Sequence, residues 1–137
     1  MHRFIATAAI AFLAVPAFAE GDAAKGEKGF NKCKSCHMIV DDAGETIVKG
    51  GRTGPNLYGV VGRTAGTVED FRYGEDLVRA GEKGLVWDAE NFVAYTADPK
   101  GFLQEYLEET SAKSKMSFRL KSGAEDIFAY LASVSGE

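Results

Sequence analysis

Cys33-Lys34-Ser35-Cys36-His37 is the stretch that decides how this chain is read. Cys-x-x-Cys-His is the attachment signature of c-type haem. The spacing has a physical reason. Two thiols must reach the two vinyl groups on one edge of a porphyrin, and a single turn of chain from Cys33 to Cys36 covers that gap. His37 then lies over the ring and presents its imidazole to the iron. Thioether bonds do not open under reduction as a disulfide does, so a group held this way cannot dissociate. Two other chemistries use such a pair. A thiol redox pair has the same Cys-x-x-Cys spacing, but that motif opens a helix after a strand in a βαβ unit, and no βαβ pattern surrounds Cys33. Half a zinc site needs further ligands, and His37 is the only histidine apart from His2.

The N-terminus bears on which of these applies. Met1-His2-Arg3 is a short positive start, Phe4 to Val15 is an apolar run with one Thr, Pro16 breaks it, and Ala17-Phe18-Ala19 gives a small-x-small cleavage pattern. A membrane span needs about 20 apolar residues, and this run is shorter. We expect a secretory signal over residues 1–19, cleaved after Ala19, and one domain over residues 20–137. The leader is of bacterial type, so the expected destination is the periplasm. His2 and Arg3 leave with it. Two thiols exported together would normally oxidise to a disulfide; an attachment motif gives them another fate.

Composition sets the remaining bounds. The chain has 137 residues, the size of one domain with one core. Apolar residues make up 45% and charged residues 26%, which excludes a disordered chain and a multi-span membrane protein. Two cysteines exclude a disulfide-dense scaffold and a four-cysteine zinc site. The net charge of −4 argues against sequence-independent nucleic-acid binding, which needs a basic surface.

Counting also narrows the second axial ligand of a haem. With one histidine left, bis-His ligation is excluded. Cys33 and Cys36 are consumed by thioethers. Met1 is removed, and Met38 follows His37 directly and cannot swing to the opposite face. That leaves Met116, a Lys, a Tyr or an open position. Met116, in Ser114-Lys115-Met116-Ser117-Phe118, is the only remaining soft donor. A lone Met also fills core gaps; beside a haem that needs a sixth ligand, we expect Met116 to bind iron.

The rest of the chain reads as helices separated by loops. Asp22 to Lys32 is one helix, with Asp22 as N-cap and Gly26 and Phe30 on one face. Asp88 opens another through Phe92, Val93 and Tyr95, stopped by Pro99. Phe102 to Leu107 is a short segment. Ser122-Gly123-Ala124-Glu125 has the form of a capping box, and Ile127, Phe128, Tyr130, Leu131 and Val134 follow as a helical apolar stripe. Glycines are dense from 41 to 86, and no strand alternation is sustained. The expected class is all-α, with long loops that a haem would give an apolar body to wrap.

These residues, taken in order, resemble the class I cytochromes c, and most closely the bacterial cytochrome c2 group. The resemblance is carried by Gly26 and Phe30, Cys33 to His37, Thr53-Gly54-Pro55-Asn56-Leu57-Tyr58-Gly59, Gly62-Arg63, Phe71-Arg72-Tyr73, Gly84-Leu85-Val86-Trp87, Tyr95 with Pro99, Met116 with Phe118, and Tyr130-Leu131. It implies a class I cytochrome c fold in which the first and last helices cross, with Gly26 and Phe30 near Tyr130. It implies one haem c, held covalently by Cys33 and Cys36, with His37 and Met116 as axial ligands. The Pro55 carbonyl would accept the hydrogen bond of the other His37 ring nitrogen. Tyr73 and Trp87 match residues that hydrogen-bond a haem propionate, Arg63 matches a positive group near it, and Tyr95 matches a residue that bonds the methionine sulfur. The stretches 39–49 and 104–114 look like extra loop length.

Function follows from the ligand set. His and Met together close both axial positions, which argues against peroxidase or oxygenase chemistry, and Met ligation raises the reduction potential. The expected role is a monomeric one-electron carrier rather than an enzyme. The resemblance implies a bc1-type complex as donor and a photosynthetic reaction centre or terminal oxidase as acceptor. Lys28, Lys32, Lys34, Lys49, Lys113, Lys115, Arg119 and Lys121 cluster in sequence around the attachment site and the Met116 loop, so we expect electrostatic docking at the haem edge. The competing class is a haem enzyme or gas sensor in which Met116 is displaced or never bound. A sulfur-to-iron charge-transfer band in the ferric protein separates the two.

Overall fold

The computed structural model describes residues 21–136. The expected leader and its cleavage site lie outside them.

Helix α1 spans Ala23–Gly29, and its start is set by Asp22, whose carboxylate accepts from the Ala24 and Lys25 amides at 2.9 and 3.1 Å. A 3₁₀ turn, Phe30–Lys32, tightens the chain into the attachment motif. There the amide of Cys33 bonds the Phe30 carbonyl at 2.8 Å, and that of His37 bonds the Cys33 carbonyl at 2.9 Å. Cys33 to His37 is thus one turn of chain, as the spacing predicts.

A small hairpin follows, and it departs from the purely helical expectation. Strand β1, Ile39–Val40, pairs antiparallel with β2, Thr46–Val48, with Ile39 opposite Val48 and Val40 opposite Thr46. Its turn is held by Asp41, whose carboxylate accepts from the Ala43 and Glu45 amides, and by Gly44 at φ +83°. The stretch expected as extra loop is therefore partly paired.

Helix α2, Glu75–Glu82, lies inside the glycine-dense region that reads as loop from the sequence. Its acidic first turn, Glu75 and Asp76, complements the helix dipole. Gly81 lets it press against the Ala65 carbonyl, which a Cβ would strike. Helix α3, Ala89–Ala97, is capped by Asp88, which accepts from the Asn91 amide at 2.8 Å. Helix α4, Pro99–Leu107, begins earlier than the expected Phe102. Pro99 ends α3 and also opens α4 as its first residue, where a missing N–H costs nothing.

Helix α5, Ala124–Val134, forms as expected but starts differently. Its N-cap is Gly123 at φ +83°, with no side-chain cap, so the Ser122–Glu125 capping box does not form. Asp126 in the first turn instead accepts the Asp22 amide at 2.8 Å and ties the entry of α1 to α5.

The α1–α5 pair makes the most extensive contact between helices. Gly26 permits it: a Cβ there would collide with the Asp126 carbonyl and lie 2.8 Å from Tyr130 Cβ. Phe30 meets Tyr130 with ring centroids 6.0 Å apart, so the expected packing of Gly26 and Phe30 near Tyr130 is found. Phe30, Leu131, Leu85 and Leu103 are fully buried, and each contributes ~2 kcal/mol of transfer free energy to folding. Phe92 of α3 packs against Phe128 of α5 with tilted rings, centroids 5.2 Å apart. No helix among the described residues is long and apolar enough to cross a membrane.

Candidate haem site

The helices and the loops between them surround one cavity of about 280 Å³. Cys33, Cys36, His37 and Met116 all line it, although Met116 lies far from the motif in sequence. Met38 does not. Apolar walls come from Leu57, Val60, Phe71, Phe92 and Leu120.

His37 is fixed on one side. Its Nδ1 lies 2.8 Å from the Pro55 carbonyl oxygen. A carbonyl only accepts, so Nδ1 carries the proton and donates, which leaves the lone pair on Nε2. Nε2 has no hydrogen-bond partner among the described residues. His37 is 9% exposed, and burial pushes its pKa below the usual histidine value, with the Pro55 bond opposing in part. The ring is therefore neutral, the form that ligates a metal. Gly54 makes room for it, since a Cβ at that position would stand 2.6 Å from Nδ1. Asn56 locks the same segment in place: its side chain donates to the Val40 carbonyl at 2.8 Å and accepts from the Val40 amide at 3.0 Å.

The cysteines differ from those of a redox pair. Cys33 is half-buried and Cys36 exposed, and they keep separate thiols. Burial, with a smaller contribution from Cys36, pushes the Cys33 thiol up to about 11. A thiol–disulfide catalyst needs a lowered thiol pKa, so this environment counts against that chemistry.

Arg63, Tyr73 and Trp87 also line the cavity. Arg63 is half-buried and donates to the backbone carbonyls of Tyr58 and Asn56 at 3.2 and 3.4 Å. It has no carboxylate partner among the described residues. Burial lowers its pKa, and Tyr73 beside it acts in the opposite sense. Tyr73 accepts the Val68 amide at 3.1 Å, which orients its phenol. Trp87 packs on Tyr95 with centroids 4.9 Å apart.

Met116 lies in a segment that is mostly exposed, but is itself half-buried against the core. Ser114 Oγ donates to the Met116 carbonyl at 2.8 Å. The Tyr95 hydroxyl sits beside Ser114, within the same cavity wall as Met116. Of the clustered basic residues, Lys32, Lys113 and Lys115 reach the cavity rim, beside Phe118, which is 42% exposed. Arg119 instead pairs with Asp98 at 3.3 Å.

The cavity fits a haem. It offers two thiols one turn apart, a neutral imidazole with an unused lone pair, a thioether, apolar walls, and a half-buried guanidinium without a counter-charge. Gly54 and Asn56 carry the resemblance in the sequence, but their part in holding His37 in place is not marked there. Their contribution is tertiary, and nothing in the local pattern signals it.

Comparison with known proteins agrees. No family model matches the chain. Cytochrome c-551 of Roseobacter denitrificans is 71% identical over 128 residues, covering 93% of this chain and 91% of that protein. Cytochrome c2 of Rhodobacter capsulatus is 57% identical over 129 residues, covering 94% and 93%. The solved structure of Rhodobacter capsulatus cytochrome c2 superposes with a TM-score of 0.81 at 56% identity, over 83% of this chain and 98% of that one. Ferric cytochrome c-550 from Paracoccus versutus gives 0.82 at 51% identity, over 85% and 99%. At this identity and coverage the chain belongs to the cytochrome c2 group of class I c-type cytochromes, electron-transfer proteins that carry one covalently bound haem c.

Proposed function

We propose that this protein is a periplasmic one-electron shuttle in which Cys33 and Cys36 hold the haem by thioether bonds and His37 and Met116 are its axial ligands. The observation that carries this is the convergence of those four side chains on one cavity. The bound iron supplies a one-electron couple. His37 presents a neutral Nε2, oriented by the Pro55 carbonyl. Met116 is a thioether donor, which favours the ferrous state and raises the potential. Together they leave no axial position open to a substrate. Arg63, Tyr73 and Trp87 supply a cation and two hydrogen-bond donors suited to propionate carboxylates.

Residues 1–19 act as the export signal, cleaved after Ala19, leaving residues 20–137 as a monomeric domain in the periplasm. The donor is a bc1-type complex and the acceptor a photosynthetic reaction centre or a terminal oxidase. Lys32, Lys113 and Lys115 around the cavity give the mouth a positive rim for transient docking. The test is the rate of reduction by a purified bc1-type complex as ionic strength rises. A rate that falls with salt supports this reading, and a rate that is flat or rises contradicts it.

A further inference from the structure

The segment bearing Met116 is pinned at two points. At its far end the Leu120 amide donates to the Thr96 carbonyl at 2.8 Å, and Leu120 is buried. At its near end the Lys113 amide donates to Asp76 Oδ2 at 2.7 Å, tying the segment after α4 to α2. The other oxygen of Asp76 receives Arg79 at 2.6 Å, and Arg79 reaches on to Glu109 just past α4, also at 2.6 Å. One carboxylate thus joins the first turn of α2, the end of α4 and the start of the Met116 segment. It is well placed to do so, with a side chain 18% exposed. The Lys113 amide is the largest cause holding its carboxyl below the usual aspartate range.

Between the pins the segment is held only by exposed contacts, Lys115 Nζ on the Arg72 carbonyl at 3.4 Å and the Arg119–Asp98 pair at 3.3 Å, besides the partial burial of Ser114 and Met116. Lys113, Lys115, Ser117, Phe118 and Arg119 are exposed, and only Ser114 and Met116 are half-buried. Segments with few buried contacts open at the lowest free energy. The pins therefore govern how often this one opens.

We propose that Asp76 is a positioning residue that keeps Met116 on the iron by latching the Lys113 amide to α2. The proposal rests on Met116 being the sixth ligand, as argued above. Asp76 does not line the cavity. It acts through the backbone of the segment that carries the sulfur. Losing the latch leaves Met116 chemically intact but raises the fraction of time it is away from the iron.

The test uses the ferric haem-loaded protein and imidazole as a competing ligand. Imidazole binds only when Met116 has left, so its apparent affinity reads the opening equilibrium. The wild type, Asp76→Ala, Asp76→Asn and Asp41→Ala are titrated while the sulfur-to-iron charge-transfer band is followed. Asp41→Ala removes a comparable carboxylate–amide cap in the hairpin, away from the cavity. We expect Asp76→Ala to bind imidazole ~3- to 10-fold more tightly, given a partly screened charge-assisted hydrogen bond. Asp76→Asn, which keeps an acceptor oxygen without the charge, should rise less. Asp41→Ala should match the wild type. Hydrogen exchange at the Lys113 amide should quicken in Asp76→Ala. If the wild type shows the band and both Asp76 variants bind imidazole as it does, the latch is wrong and Met116 ligation stands. Equal tightening in Asp41→Ala would also overturn the latch, because general loosening would then explain it. If the wild type has no band, Met116 ligation fails and the latch fails with it.

Discussion

His37 Nδ1 and the Pro55 carbonyl oxygen lie 2.8 Å apart, across a segment made passable by Gly54. That one hydrogen bond fixes the tautomer of the only histidine among the described residues. It also leaves Nε2 unprotonated, the form of imidazole that a metal requires.

The space behind this bond gives the first prediction. Gly54→Ala places a methyl group 2.6 Å from His37 Nδ1, so the ring or the backbone must shift. The expected cost is ~1–3 kcal/mol of stability, with a smaller yield of haem-loaded protein. Chemical denaturation of the purified variant checks it. An unchanged midpoint would mean that the ring is not held against this backbone.

The helix pair gives a second. Gly26→Val would drive its side chain into the Asp126 carbonyl and Tyr130 Cβ, where α1 and α5 approach most closely. We expect a loss of about 3 kcal/mol or failure to fold. Gly44→Ala at the exposed hairpin turn meets nothing within 4 Å, so its effect comes only from the φ of +83° and should be smaller, ~1 kcal/mol. Denaturant midpoints of the two variants rank them.

Much of this was legible in the sequence, and the reasons are local. The attachment turn is written in consecutive residues. α1 and α3 announce themselves by aspartate caps, and α5 by its apolar stripe. Counting soft donors singles out Met116, which the fold brings to the cavity wall. What escaped depends on the rest of the fold. α2 has few apolar positions and sits among glycines, so its periodicity is faint. β1 and β2 are too short to alternate, with an irregular step in the register. Gly123 supplanted Ser122 as cap because the chain enters α5 with a left-handed residue. Pro99 both ends one helix and begins the next, and only the first role is visible locally. The Asp76–Lys113 bond joins residues far apart in sequence, and no pattern in either neighbourhood predicts it.

Acid should weaken the latch. The Lys113 amide lowers the folded-state pKa of Asp76 from its usual 3.8. A carboxyl lowered on folding contributes stability above its unfolded pKa and loses it as pH falls through the folded value. The stability gap between wild type and Asp76→Asn should therefore be full above about pH 4 and shrink below it. Denaturant midpoints of both proteins between neutral pH and pH 3 check this. A gap independent of pH would show that the charge of Asp76 is not involved.

Replacing the sixth ligand should change the couple itself. Met116→Ala removes the thioether, and the potential should fall on the order of 0.1 V or more as the ferric state gains relative stability. The variant should also bind added small ligands that the wild type refuses. A potential within experimental error of the wild type would remove Met116 from the coordination sphere.

The most direct test of the central claim is a spectroscopic redox titration of the purified protein. A single reversible one-electron wave is expected, with a sulfur-to-iron charge-transfer band in the ferric form that vanishes on reduction. A protein with no haem spectrum, or one whose ferric form lacks that band throughout the titration, would contradict it.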